Sequence, residues 1–183
     1  MPGFRRVSEE ELFRAWLFRV DRFHLLDPND EPFDRFVIRH PGAVTIVPVH
    51  DDRTVTLVRQ YRAAVGDNLL EVPAGKRDVD GEPPEETARR ELEEEIGYRP
   101  GRLVKLAEFY NTPGFCDEYT HLYLALDLED LGGNDAMGPE ERAMTMQRVP
   151  LDRFDDLIAS GELCDAKSII GWLLARRFLD AGS

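Results

Sequence analysis

Cysteine is nearly absent. Cys116 and Cys164 stand far apart, with no C-x-x-C spacing between them, so neither a disulfide framework nor a zinc site is indicated. Both read as small buried apolar groups. Long hydrophobic runs are missing too: Ala43 to Val49 and Ile169 to Ala175 fall well short of the ~18 residues that a membrane span requires. The opening residues, MPGFRRVSEEELFRAW, carry acids where a signal peptide has its apolar region. A soluble protein in a reducing, cytoplasmic setting, with no membrane partner, is expected. Basic residues are scarce, 23 Lys and Arg against 36 Asp and Glu for a net charge of −13, which disfavours nucleic acid as a partner held by the net field. An anionic substrate needs cations placed locally.

What is present is ordinary globular material. With 183 residues, 42% of them apolar and 32% charged, the chain is long enough for one core that buries roughly 70% of its unfolded surface. Leu12 to Leu26 alternates in part and reads as one half-buried strand. DPNDEP at 27–32 is a turn by composition and Phe33 to Arg39 is the return strand. Residues 1–41 therefore form a strand-rich N-terminal segment, and 42–183 form the main domain. Within that domain, strands are expected at 43–49, 54–65, 69–75, 102–110, 118–128 and 144–149. Helices are expected at 84–96, 151–160 and 165–180. The pattern is α/β with a mixed, hairpin-connected sheet; a doubly wound parallel sheet does not fit it.

One helix carries the chemistry. In PEETARRELEEEIG, Pro84 to Gly97, Glu91, Glu94 and Glu95 fall within an arc of about 100° on a helical wheel. Ala88, Leu92 and Ile96 form the adjoining face that packs on a sheet, and Glu93 points away. Clustered like charges destabilise a helix by a few tenths of a kcal/mol per pair, a cost that a divalent cation reverses. The plain alternative is a solvated face stabilised by Glu85–Arg89 and Glu86–Arg90 pairs.

The surroundings favour the cation. Glu82, seven residues, then Arg90-Glu91-Leu92-x-Glu94-Glu95-x-Gly97-Tyr98 resembles the Nudix box, G-x5-E-x7-R-E-U-x-E-E-x-G-U, in which U is a bulky apolar residue. Gly75 takes the first position, with six residues instead of five before Glu82, so the loop KRDVDG is one residue longer. Pro83 stands where relatives often have a Thr or Ser cap. Most of the chain is similar to the ADP-ribose pyrophosphatase branch of Nudix hydrolases. EVPAG precedes the box, Pro113 in NTPGF lies fifteen residues beyond Tyr98, and the N-terminal strands end in HPGA.

That resemblance implies a Nudix-type α/β/α sandwich with an N-terminal antiparallel strand segment, and a homodimer formed through that segment. It implies hydrolysis of ADP-ribose to AMP and ribose 5-phosphate with Mg²⁺, Mn²⁺ being the alternative ion. The metal ligands it implies are Glu91 and Glu95, the Ala74 carbonyl, and Glu94 as ligand or water-positioner. Gly75, Glu82, Arg90, Gly97 and Pro113 are then structural, with Arg90 paired to Glu82. The general base is Glu140 or Glu141, on the loop before the last strand, where some relatives have an acid at the position of Arg142; a solvated acidic loop is the alternative.

Arg62 resembles the family's phosphate-contacting arginine, a surface arginine at a strand end being the alternative, and Glu71, before the Pro-Ala-Gly turn, is a candidate to accept hydrogen bonds from ribose or adenine. Phe115 and Glu118 line the site, while Trp16, Phe18 and Phe33 are candidates to stack on a base, or else core. His24, His40, His50 and His121 show no ligand spacing. Two other functions stay open: a pyrophosphatase for a different nucleoside diphosphate sugar, and a sensor that binds ADP-ribose without cleaving it. The complete set of box acids and the lack of a basic recognition helix weigh against the sensor.

Overall fold

The computed structural model describes residues 3–134 and 142–182. It divides into two compact units, Met1–Gly42 with Phe109–Thr120, and Ala43–Glu108 with His121–Ser183. The strands are β1 (Arg5–Arg14), β2 (Arg19–Leu26), β3 (Pro32–Arg39), β4 (Ala43–Pro48), β5 (Thr54–Arg62), β6 (Asp67–Glu71), β7 (Ala74–Lys76), β8 (Tyr98–Tyr110), β9 (Tyr119–Asp130) and β10 (Thr145–Pro150). The helices are α1 (Pro84–Ile96), α2 (Phe154–Ser160), entered through a 3₁₀ turn at Leu151–Arg153, and α3 (Ala166–Ala181).

In the first unit β1, β2 and β3 form an antiparallel meander in that order. Leu12 to Leu26 is not one strand, which corrects the sequence expectation. The N–H of Ala15 donates to the Phe18 carbonyl at 2.8 Å, closing a turn inside a stretch that has no Gly or Pro to announce it. The segment 109–120 is stitched to β3: the N–H of Ile38 donates to the Phe115 carbonyl at 2.7 Å, and that of Asp117 to the Ile38 carbonyl at 3.1 Å. Arg39 Nε donates to Asp117 Oδ2 at 2.5 Å, and the His40 N–H to Asp117 Oδ1 at 2.7 Å.

The second unit holds the core. Its sheets run β7-β4-β9-β8 and β10-β5-β6. Every residue of β4 is buried, as expected for a strand covered on both faces. On one face Val44, Ile46, Tyr123 and Ala125 pack against Ala88, Leu92 and Ile96 of α1. On the other, Gly171 of α3 comes so close that an added Cβ would lie 2.9 Å from Val47 Cγ2 and 3.1 Å from Leu122 Cδ1. Helices on both faces of one sheet make the α/β/α sandwich. Trp172 of α3 is fully buried and its indole N–H donates to the Leu151 carbonyl at 3.0 Å, which satisfies the polar tip that burial would otherwise penalise.

Cys116 is buried, but Cys164 is exposed, another correction. It lies between α2 and α3 immediately before Asp165, the N-cap of α3. Among the described residues no helix is long and apolar enough to cross a membrane.

Candidate active site

Two prolines and a glycine bound the acidic helix. Pro83 is extended and Pro84 occupies the first turn, where a missing N–H costs nothing. Pro83 offers no side-chain cap. Thr87 Oγ1 donates instead to Glu82 Oε2 at 2.8 Å, fixing the acid that precedes the helix. Gly97 ends it at φ 70°, and its N–H returns to the Glu93 carbonyl at 3.1 Å. A Cβ there would also meet the Gly133 carbonyl oxygen at 2.3 Å, so both conformation and space require glycine.

The last turn of α1 has no basic residue, although Glu93, Glu94 and Glu95 sit at the negative end of the helix dipole. Each such placement costs about 0.3–1 kcal/mol when uncompensated. Glu93 is met by Arg99 Nε at 2.7 Å. The other acids are met from within the motif. Arg90 Nη1 lies 3.0 Å from both Glu91 Oε1 and Glu94 Oε2, and its other nitrogens reach Glu82 at 3.3–3.4 Å and Asp78 at 3.4 Å. The expected Arg90–Glu82 pair is therefore one edge of a larger knot. Glu85–Arg89 forms at 3.0 Å. Burial works to lower the pKa of Arg90, but Glu82, Glu91 and Glu94 reverse this and hold it charged. The bond from Arg90, helped by that from Thr87, keeps Glu82 below the usual carboxylate range.

Glu91 is the anomalous member. Its side chain is 12% exposed, and burial pushes its carboxyl up to about 7; Arg90 opposes the rise, while Glu94 and Asp78 add to it. The reason for Gly75 is visible here. A Cβ on Gly75 would lie 1.8 Å from Glu91 Cδ, so the Glu91 carboxyl occupies the space that any other residue at 75 would fill. Glu95, also buried, accepts from the Ala74 N–H at 3.1 Å. The β7 backbone and two helix acids thus converge.

Among the described residues no three His, Cys, Asp or Glu side chains are drawn together as a ready-made cation cage. The Arg90 guanidinium lies between Glu91 and Glu94 instead. The donor set nonetheless suits a hard divalent cation, being oxygen throughout, and a carboxyl raised by burial and like charge is one that a cation stabilises.

A second ionic group gathers at the end of β6, three residues before Ala74. Glu71, 1% exposed, receives Arg62 side-on, Nε to Oε1 at 2.7 Å and Nη2 to Oε2 at 2.8 Å. Lys167 Nζ lies 3.8 Å from Glu71 Oε2 and 2.6 Å from Asp165 Oδ1. Sequence reasoning singled out Arg62 and Glu71 and missed Lys167 and Asp165; an acid just before a helix followed by Lys-Ser was the available signal.

In the first unit Trp16 is 83% exposed and Phe115 is exposed, while Phe18, Phe33 and Glu118 are half-buried. Phe33 makes an edge contact with Phe4 at 5.8 Å and carries the Arg35 guanidinium over its ring at 4.6 Å. Phe18 packs on Phe13 at 6.3 Å. Pro113 is exposed in the turn where the Phe115 N–H donates to the Thr112 carbonyl. Glu140 and Glu141 lie outside the described residues. His24, His50 and His121 are each within 2.6–2.7 Å of a side-chain oxygen, of Asp34, Thr56 and Glu108, and His40 Nδ1 accepts from the Gly42 N–H.

The NUDIX domain profile matches residues 39–169. Over 164 residues the chain is 35% identical to an ADP-ribose pyrophosphatase of Bacillus subtilis (strain 168), covering 90% of this chain and 88% of that one. Over 170 residues it is 37% identical to an ADP-ribose pyrophosphatase of Mycobacterium tuberculosis (strain ATCC 25618 / H37Rv), covering 93% and 82%. A crystal structure of an ADP compounds hydrolase superposes with a TM-score of 0.83 at 26% identity, covering 99% of this chain and 96% of that one. Motif, sandwich and relatives agree, and the chain belongs to the NUDIX domain family, as a Nudix hydrolase.

Proposed function

We propose that this Nudix hydrolase cleaves the diphosphate of ADP-ribose to AMP and ribose 5-phosphate, with Mg²⁺ as its ion. The observation that carries the reading is the Glu91 carboxyl held in the space left by Gly75, beside Glu95 on the Ala74 N–H. The substrate assignment is supported by the two relatives named for that activity. Glu91, Glu94, Glu95 and the Ala74 carbonyl would hold the ion. When bound, it neutralises diphosphate charge and stabilises the leaving oxygen. Water bonds to one phosphorus, the bridging P–O bond breaks, and its electron pair leaves on the other phosphate. Glu140 or Glu141 takes the proton of that water. Arg62 contacts the diphosphate, Phe115 and Glu118 line the site, and Trp16, Phe18 and Phe33 supply aromatic surface for the base.

The reading includes a cytoplasmic homodimer. Phe4, Val7, Leu12, Phe13, Trp16 and Phe36 are all exposed on the N-terminal unit, apolar side chains that a second subunit would cover. The test of the activity is direct: incubate the protein with Mg²⁺ and ADP-ribose and separate the products. AMP and ribose 5-phosphate are expected. A rate below about one hundredth of that on another nucleoside diphosphate sugar, a gap of roughly 2.7 kcal/mol in transition-state binding, would overturn the substrate.

A further inference from the structure

We propose that Glu71 and Lys167 are positioning residues that set the Arg62 guanidinium for an anionic phosphate group, tying its orientation to the N-terminus of α3. The inference rests on the reading of Arg62 as a diphosphate contact; with Arg62 bonded to both oxygens of Glu71, it gives Glu71 a positioning role in place of the ribose or adenine contact expected from sequence.

Arginine has five N–H donors in a fixed plane. The side-on pair with Glu71 uses Nε and Nη2, so the outer edge of the guanidinium is directed away from Glu71, and the side chain is 36% exposed. A two-point bond of this kind fixes the plane as well as the position. Glu71 itself is held from two directions. Its backbone neighbour Val72 donates its N–H to Ser168 Oγ at 2.9 Å, and Lys167 Nζ lies near its carboxylate at 3.8 Å. Both partners belong to the first turn of α3, which Asp165 caps by accepting from the Ser168 N–H at 2.9 Å and from Ser168 Oγ at 2.7 Å.

Lys167 therefore bridges a buried carboxylate, Glu71, and a half-buried one, Asp165. Taking it away leaves Arg62 as the sole cation on Glu71 among the described residues and draws the guanidinium inward. The strand that ends in Glu71 runs on through Val72 and Pro73 to Ala74, whose N–H meets Glu95. One short stretch of backbone thus carries the seat of Arg62 and one edge of the acidic site.

The test is a double-mutant cycle. Affinity for inorganic pyrophosphate in Mg²⁺ is measured by calorimetry, which requires no choice of nucleotide, together with kcat and KM for ADP-ribose. Arg62→Ala is expected to weaken pyrophosphate binding about tenfold and Lys167→Met about threefold, with Lys167→Arg within twofold of the parent. In the Arg62→Ala background, Lys167→Met and Glu71→Gln are expected to add less than about twofold, because they act through a group already gone. Equal effects in both backgrounds would overturn the inference and leave the Arg62 reading intact. Unchanged affinity in Arg62→Ala would overturn both. Melting temperatures are followed throughout. Should Lys167→Met fail to fold, the Glu71→Gln arm of the cycle decides, by the same criterion.

Discussion

Glu91 shows how a small residue elsewhere makes room for an acid. Its carboxyl stands in the space of a missing side chain, 1.8 Å from where a Gly75 Cβ would be, and is raised to about 7 by burial. Gly75→Ala is expected to push the Glu91 carboxyl out of place, because the added Cβ would lie 1.8 Å from its Cδ and 2.2 Å from its Oε2. Hydrolysis should fall by at least about 100-fold, some 2.7 kcal/mol, while circular dichroism at 25 °C stays that of the folded chain. Activity within threefold of the parent would show that the contact is dispensable. At this scale the sequence told which acids share a face, since spacing and wheel angle suffice for that. It did not tell that Arg90 would lie between Glu91 and Glu94, because the reach of a long side chain depends on loop geometry that no periodicity records. The same limit hid Lys167, which matters through residues distant in sequence.

Among the elements, α1 was readable because several local signals agree: proline at its start, a single apolar stripe, and glycine at its left-handed end. The β1–β2 hairpin was not, since the turn closed by Ala15 and Phe18 is spelled in apolar residues. Helix α3 lies between these cases, its apolar side evident and its cap hidden in a plain Cys-Asp-Ala-Lys. Asp165 supports a stability prediction. Burial pushes its pKa up, but Lys167 and the Ser168 bonds outweigh burial and bring it below its ordinary value of 3.8. A lowered folded-state pKa contributes stability that is fully present above the unfolded value and is lost as pH falls through the folded one. Asp165→Ala should thus destabilise the protein by about 1–2 kcal/mol at pH 7, the range for a lost helix cap. The gap should narrow as pH drops below about 4. A gap in denaturant midpoint that stays constant from pH 7 to pH 3 would show that the carboxylate charge contributes nothing.

For the whole molecule, a net charge of −13 and an acidic helix are ill-matched to an anionic substrate until the charges are located. Arg62, Lys167 and Arg90 all sit in the second unit, each in contact with carboxylates, so the local field differs from the net one. The first unit raises a separate matter, its exposed apolar side chains, with Trp16 at 83% the most exposed among the described large hydrophobics. Light scattering is expected to give twice the chain mass of 20.9 kDa, and Trp16→Glu with Phe13→Ser to shift the population toward monomer; a monomer at all concentrations for the parent would contradict the dimer. The central claim is that the α1 acids take a divalent cation, and titration with Mn²⁺, followed by electron paramagnetic resonance of the free ion, tests it most directly. Saturable binding that Glu95→Gln weakens at least about tenfold, 1.4 kcal/mol, with the fold intact, is the predicted result. No binding by the folded parent protein, or equal binding by both, would contradict it.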